Sequence, residues 1–223
     1  MPLCVVTGGA GALGADVARA LVRRGDDVAL VDMPRARERM DALVKELGTK
    51  ASAHTGIESA LARGPVEFAA LIAGGWAGGA PLHEAKDDAA FRAMMDSNVA
   101  TVHAALRAFL PGMVARKRGA IVVVGSRNVE RPWTGKGSAE YTASKAAAVA
   151  MAQAASAEVL EHGVRVNAIL PSTMDTPANR TSMPDADVTR WVTTSSAAGV
   201  VAFLLSDAAR DISGAAIPLY GRA

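Results

Sequence analysis

The sequence predicts an α/β fold, a doubly wound parallel sheet with helices on both faces, from three features. Short runs of Val, Ile, Leu and Ala alternate with longer stretches of helical periodicity along the whole 223-residue chain. The run Ile121-Val122-Val123-Val124 is apolar at every position, as in a strand covered on both faces. A glycine-rich turn, Gly8–Gly14, separates the first apolar run from the first helical stretch.

The elements follow in order. Leu3–Thr7 reads as a strand. Ala15–Arg24 has helical spacing (Val17, Ala18, Leu21, Val22) and stops at Gly25, a residue suited to a helix C-terminus. Asp27–Val31 is a second strand, Arg35–Leu47 a helix, Lys50–His54 a short third strand and Phe68–Ala73 a fourth. After the loop Gly74–Pro81 comes a long helix over Asp87–Ala115, with a kink or end expected near Pro111. Ala120–Gly125 is the cleanest buried strand. A loop to Ser138, a helix to about His162 and a strand Val164–Leu170 follow. The Pro-, Ser-, Thr- and Asp-rich segment after Pro171, to about residue 190, reads as a loop or substrate lid. A helix over Val188–Leu205 and a strand near Ala215–Leu219 finish the chain. With no linker or repeat, residues 1–223 read as a single domain.

Composition narrows the function classes. Half the residues are hydrophobic and 21% charged, which excludes a disordered chain. A net charge of +2 gives no electrostatic case for nucleic acid or an anionic membrane. The single cysteine, Cys4, excludes an internal disulfide and a cysteine metal cluster, and reads as a small buried apolar residue. His54, His83, His103 and His162 lack ligand spacing, so no metal is expected. The N-terminus lacks a signal-peptide pattern and no apolar run is long enough to span a bilayer, so a cytoplasmic protein is expected. Aromatic content is only 4%, so Ala, Val and Leu must build the core.

The turn Thr7-Gly8-Gly9-Ala10-Gly11-Ala12-Leu13-Gly14 follows a strand and opens a helix. Glycines there let the chain turn sharply and bring backbone N–H groups to a pyrophosphate facing the helix N-terminus. Asp32 ends the second strand 18 residues after Gly14. An acid at that distance accepts hydrogen bonds from an adenosine ribose and repels a 2′-phosphate, which favours NAD(H). Arg35 and Arg37 stand close enough to keep NADP(H) open. The plainer alternative is a tight turn and a surface acid. Tyr141 and Lys145 are four residues apart at the start of a helix, which puts phenol and ammonium on one face. A cation beside a phenol stabilises the phenolate and lowers its pKa, so the pair reads as a general acid/base. The plainer alternative is an exposed helix start.

With these residues in place, the chain resembles a short-chain dehydrogenase/reductase over essentially its full length. The likeness is carried by Thr7-Gly8 through Gly14, Asn98, Gly125-Ser126, Tyr141 to Lys145, Asn167 to Pro171, and the tail Phe203–Asp207 to Tyr220-Gly221. The resemblance implies a Rossmann fold and hydride transfer between a nicotinamide cofactor and a small C=O, CH–OH or C=N substrate. It implies Tyr141 as proton donor or acceptor, with Lys145 lowering its pKa and binding the nicotinamide ribose. Ser126 would hold the substrate oxygen, and Asn98 would support a water relay to the lysine. Thr7, Gly8, Gly11, Ala12, Leu13, Gly14, Asp32, Ala73, Gly74, Pro171, Met174 and Thr176 would complete the cofactor site, Thr176 at the carboxamide with backbone help from Met174. It also implies a homodimer or homotetramer through the long helices.

The chain departs from the common family pattern at several points. Leu71-Ile72-Ala73-Gly74 stands for the usual Asn-Asn-Ala-Gly, Ala12 for a glycine, and Ser172 for the glycine after Pro171. Ser126 and Tyr141 are 15 residues apart, longer than the family habit, so Asn128 competes with Ser126 for the substrate-orienting role. Gly11–Gly14, Ala73–Gly79, Asp175–Arg180, Ser182–Asp187 and Trp191 are similar to the dihydropteridine reductase branch of the family, whereas Asn98 and Ser126 point to carbonyl or alcohol chemistry. Pterin-like and carbonyl/alcohol substrates therefore both stand, beside a non-catalytic NAD(H) sensor as the reading from another class. Trp76, Trp133 and Trp191 fall where a flat ligand could stack, or they pack loops. Arg127, Arg131 and Lys136 could meet an anionic substrate, or form a solvated loop.

Overall fold

The computed structural model describes residues 2–222. It places β1 at Leu3–Thr7, α1 at Ala12–Arg24, β2 at Asp27–Val31, α2 at Arg37–Leu47, β3 at Ala51–His54, α3 at Ile57–Leu61 and β4 at Val66–Leu71. The chain continues with α4 at Ala89–Met94, α5 at Thr101–Arg116, β5 at Gly119–Val124, α6 at Ala139–Val159 and β6 at Val164–Pro171. Beyond these lie β7 at Met174–Asp175, α7 at Pro177–Ser182, β8 at Val192–Thr193, α8 at Thr194–Leu204 and β9 at Ala216–Leu219. Seven strands form one parallel sheet in the order β3-β2-β1-β4-β5-β6-β9, the doubly wound Rossmann arrangement predicted from the alternation of elements. The winding reverses between β1 and β4, and such a point opens a crevice at the carboxyl ends of the strands.

The period of two along each strand divides the core into two layers. Leu3 and Val5, Ile121 and Val123, and Val164 and Val166 face the layer that holds Leu106 and Phe109 of α5 and Ala148 and Ala152 of α6. Cys4 and Val6, Ala120 and Val122, and Ile169 face the other, built by Val17 and Leu21 of α1, Met40 and Leu43 of α2, and Val201 and Leu204 of α8. The small residues of α6 are what allow a helix to lie close on the sheet. Asn167, read above as part of a family motif, has a structural task. Its amide donates to the Ile212 carbonyl (2.9 Å) and accepts from the Ala215 N–H (3.0 Å), drawing β9 alongside β6.

Four expectations need correction. α1 starts at Ala12 rather than Ala15, because Gly11 takes the extended N-cap conformation and the helix begins inside the glycine run. The long helix is interrupted not at Pro111 but at a widened π-helical turn, Met95–Ala100, between α4 and α5. Phe109 and Met113, buried on either side of Pro111, hold α5 through a residue that lacks an N–H. The helix expected from Val188 begins at Thr194, where the Thr193 side chain caps the Ser196 N–H at 3.2 Å. The segment after Pro171 is built rather than featureless. β7 pairs with β8, α7 follows, and Arg180 grips Asp175 through two bonds of 2.6 and 2.8 Å. α3 escaped prediction because five residues are too few to show a period. Among the described residues no helix is long and apolar enough to cross a membrane, and no group of three or more His, Cys, Asp or Glu could hold a metal.

Candidate active site

The carboxyl ends of β1, β2 and β4 assemble one half of the site. Thr7 Oγ1 accepts the N–H groups of Ile72 (3.1 Å) and Ala73 (3.3 Å), so the side chain ending β1 fixes the chain leaving β4. Gly8 lies at φ +68°, and a side chain there would come within 2.8 Å of the Ala73 nitrogen. Gly14 is buried against the turn itself: a methyl group on it would run into the Gly8 carbonyl oxygen and stand 2.9 Å from Gly9 Cα. Leu13 is buried in the core and anchors the start of α1, while Gly11 and Ala12 are exposed. Gly11 caps α1 without a side chain, and the first turn carries no acid, so the helix presents free N–H groups and an unneutralised positive end. Asp32 closes this half. Its carboxylate accepts the N–H groups of Ala10 (3.0 Å) and Met33 (2.8 Å), locking the glycine turn to the end of β2. Arg37 is taken up by Asp41 at 2.9 Å, whereas Arg35 is exposed and makes no hydrogen bond among the described residues.

The other half is built from β4, the π-helical turn, β5 and α6. Asn98, buried at the widened turn, accepts the Gly75 N–H (2.9 Å) and donates to the Gly75 carbonyl (3.1 Å) and to Ser144 Oγ (3.0 Å). Ser144 in turn donates to the Tyr141 carbonyl at 2.8 Å. The Asn98 side chain is thus spent on joining the loop after β4 to the start of α6. Gly74 has no room for a side chain, which would run into Asn98 Oδ1 and stand 3.2 Å from Lys145 Nζ. Lys145 is buried and gives one of its three N–H donors to the Val124 carbonyl at 2.9 Å. Burial pulls its pKa down to about 8.

Tyr141 shares α6 with Lys145, one turn earlier, and the Ser126 side chain stands near enough to its phenol to favour the phenolate. The expected lowering of its pKa by Lys145 is corrected here. Burial pushes the phenol above its ordinary value of 10, and the opposing pull comes from Ser126. The lysine is turned to the Val124 carbonyl and is itself short of solvation, so it does not act as a simple cation beside the phenol. Ser126 and Asn128 differ in what their side chains meet. Asn128 donates to Thr142 Oγ1 (3.1 Å) and accepts from Thr134 (3.0 Å), pinning its loop to α6, while Ser126 stands at the phenol.

On the third side, Pro171 ends β6, and the Thr176 hydroxyl caps α7 by accepting the Asn179 N–H at 3.2 Å. The Met174 carbonyl is occupied by Asn179 Nδ2 at 2.8 Å. Ser172 has its own reason: its hydroxyl donates to the Tyr220 carbonyl at 2.8 Å, tying the end of β6 to the C-terminal tail. Trp76 and Trp133 are strongly exposed, on the loops after β4 and β5, and Trp191 is partly buried. The Gly79 N–H bonds the Gly137 carbonyl (2.8 Å), holding those two loops together. Sequence reasoning missed Ser144 and the Asn128–Thr142 bond. The polar residues within Tyr141–Lys145 were the only available signal of either.

The short chain dehydrogenase family model matches residues 3–187. Galactitol 2-dehydrogenase of Rhizobium johnstonii is 32% identical, over 96% of this chain and 91% of its own. Among solved structures, an NAD+-bound xylitol dehydrogenase superposes with a TM-score of 0.88 at 26% identity, covering 99% of this chain and 98% of its own. A Beutenbergia cavernae protein that holds NADP at low occupancy gives a TM-score of 0.88 at 27% identity, covering 99% and 95%. The expected likeness to dihydropteridine reductases finds no support in these matches, which are to other members of the family. The family match over most of the chain and the dehydrogenase relatives establish that this protein is an oxidoreductase belonging to the short-chain dehydrogenase family.

Proposed function

We propose that the protein transfers hydride between NAD(H) and a secondary alcohol/ketone pair, with Tyr141 as general acid/base. The observation that carries this reading is the joint placement of Ser126, Tyr141 and Lys145: a serine side chain near the phenol, and a buried ammonium one turn along the same helix. A serine at the phenol suits the oxygen of a carbonyl or alcohol, which favours that chemistry over a pterin.

The residues present fit a dinucleotide. Methyl groups at Gly8 and Gly14 would fill the turn, and the first turn of α1 keeps its N–H groups free, so Thr7, Gly8, Gly11, Ala12, Leu13 and Gly14 would hold the pyrophosphate. Asp32 would take the adenosine ribose. Ala73 and Gly74 would line the path to the nicotinamide end, where Pro171, Met174 and Thr176 would hold the carboxamide. Lys145, with two unspent donors, would hold the nicotinamide ribose. The bound nicotinamide supplies the hydride acceptor or donor. Tyr141 gives its proton to the alkoxide oxygen in reduction and takes the hydroxyl proton in oxidation, while Ser126 orients that oxygen. Asn98 acts as a positioning residue through Gly75 and Ser144. NAD(H) is the preferred cofactor, with NADP(H) kept open by Arg35, which has no partner among the described residues. A homodimer or homotetramer through α5 and α6 belongs to the same proposal, and sedimentation checks it.

The test is an NADH/NAD+ assay on a panel of polyols, secondary alcohols, ketones and quinonoid dihydropterin. Turnover of alcohols or ketones supports the reading. Turnover confined to the pterin overturns it.

A further inference from the structure

We propose that Tyr220 braces the substrate cleft: it holds the lid that follows Pro171 at a fixed distance from the turn that carries Ser126, and so acts as a positioning residue for substrate binding. The inference rests on the oxidoreductase reading above and deepens it, since the serine turn and the lid are the two walls between which the alcohol or ketone would sit.

The register of β9 with β6 sets Leu219 beside Pro171. All strands of the sheet run parallel, so Tyr220 leaves β9 at the end from which the lid leaves β6 and Ser126 follows β5. Ser172, the first residue of the lid, is tied there twice: its N–H donates to the Leu219 carbonyl at 2.9 Å and its hydroxyl to the Tyr220 carbonyl at 2.8 Å. The far end of the lid is tied as well. The Arg222 N–H donates to the Arg190 carbonyl at 3.0 Å, and the Arg190 guanidinium returns two bonds to the Arg222 carbonyl, at 3.1 and 2.8 Å. Between them Gly221 lies at φ +61°, and a methyl group on it would stand 2.7 Å from the Arg190 carbonyl oxygen, so the crossing is close enough to require glycine. Both ends of the lid are thereby fastened to residues 219–222.

The Tyr220 side chain reaches the other wall. Its hydroxyl donates to the Glu130 carboxylate, and the Arg131 guanidinium lies over its ring, 4.9 Å from the centroid. A hydrogen bond to a charged acceptor is stronger than a neutral one, and a cation over the ring adds to it. Burial, and then the Glu130 carboxylate, push the phenol up to about 12, so it stays a donor near neutral pH. Glu130 closes the short 3₁₀ turn Arg127–Val129, of which Ser126 is the N-cap. Within that turn the Ser126 carbonyl accepts the Val129 N–H (3.0 Å), and the Arg127 carbonyl accepts those of Glu130 (3.2 Å) and Arg131 (3.0 Å). Asn128 pins the same turn to α6, so the place of Ser126 beside Tyr141 is set from that side. What Tyr220 adds is the link from this turn to the lid, and with it the width of the cleft.

The experiment uses Tyr220→Phe, which keeps the ring and its stacked cation but loses the hydroxyl, Tyr220→Ala, which loses both, and Glu130→Ala and Glu130→Gln, of which the second keeps a neutral acceptor. Three readouts are taken: kcat and KM with NAD+ on the best alcohol of the panel, NADH affinity by fluorescence titration, and hydrogen exchange by mass spectrometry over residues 126–131 and 172–190. KM is expected to rise by about three- to tenfold in Tyr220→Phe and Glu130→Ala, the scale of one lost hydrogen bond, and further in Tyr220→Ala. Glu130→Gln falls between wild type and Glu130→Ala. In all of them kcat and NADH affinity stay within about threefold of wild type, because the reacting groups and the glycine turn are held elsewhere. Combining Tyr220→Phe with Glu130→Ala does no more than either alone, since both remove the same bond. Exchange rises in both segments and stays unchanged in α1. An unchanged KM, additive effects in the double variant, or a loss confined to kcat overturns the proposal while leaving the oxidoreductase reading intact. Absence of turnover by the wild type on every alcohol and ketone would instead sink that reading, and exchange then decides: a rise in both segments upholds the brace, and a rise in one or neither overturns it.

Discussion

Two glycines inside helices should respond to the same substitution with opposite signs. Gly14 lies in the first turn of α1 and Gly199 in the middle of α8. On helix propensity alone, Gly→Ala stabilises either site by about 0.5–1 kcal/mol. At Gly199 nothing lies within 4 Å of the added methyl, so the full gain is expected. At Gly14 the methyl meets the Gly8 carbonyl oxygen, with Gly9 Cα at 2.9 Å and the Gly8 carbonyl carbon at 3.0 Å. Carbon atoms pack comfortably at about 3.5–4.0 Å, so the turn must move by roughly half an ångström or more. These are backbone atoms of a tight turn, unable to swing aside, and overpacking of this kind costs about 1–3 kcal/mol. The net change at Gly14 is a loss of about 1–2 kcal/mol. For a domain of this size, each kcal/mol moves Tm by about 2–4 °C. Calorimetry should show Gly199→Ala melting about 1–4 °C higher and Gly14→Ala about 2–8 °C lower, with NADH raising the Tm of Gly14→Ala less than that of wild type. A Gly14→Ala protein as stable as Gly199→Ala, with unaltered NADH stabilisation, would refute the close packing of helix on turn.

Further outcomes follow from the same site. Lys145 has a folded pKa of about 8 against an ordinary 10.5, so the unfolded chain binds more protons between these values. Stability due to this group is therefore lowest below pH 8 and recovers as pH rises through that window. In urea unfolding of the cofactor-free protein, the advantage of Lys145→Met over wild type should shrink by up to about 3 kcal/mol between pH 8 and 10; a constant difference would contradict the buried ammonium. Asp32→Ser removes a carboxylate from the ribose end and from the Ala10 N–H, so the NADH-to-NADPH affinity ratio should fall by about tenfold or more, and an unchanged ratio would assign cofactor choice elsewhere. Ser126→Ala should lower kcat by about 10²-fold, the scale of a lost oxyanion-type donor. Asn128→Ala should mainly cost about 1 kcal/mol of stability by freeing its loop from Thr142. Reversed effects in kinetic and melting measurements would exchange the two roles.

What could be read from the sequence was whatever depends on neighbours along the chain. The glycine turn, Asp32 at the end of β2 and the Tyr141–Lys145 pair carry their geometry in local spacing, because a strand, a turn and a helix fix it. The π-helical turn at Asn98 was hidden, since nothing in Met95–Ala100 distinguishes it from α-helix; the loop at Gly75 and the bond to Ser144 accompany it. Asn128 looked like a rival to Ser126 because its partners, Thr134 and Thr142, are joined to it only by folding. The direction of the Tyr141 pKa was misjudged for a related reason. Spacing places a cation nearby but does not tell how deeply both groups are buried, and here burial sets the direction for both. Ser172, a departure from the family pattern, became intelligible only when Tyr220 was found at its side.

The central claim is that the Tyr141 phenol carries the proton. The most direct measurement compares wild type with Tyr141→Phe in an NAD+ reduction assay on the best alcohol of the panel, together with NADH binding by fluorescence titration. The account predicts a fall in kcat of about 10²–10⁴-fold, the usual worth of a general acid/base, in a protein that still binds NADH. A Tyr141→Phe enzyme that keeps more than about a tenth of the wild-type rate would contradict it.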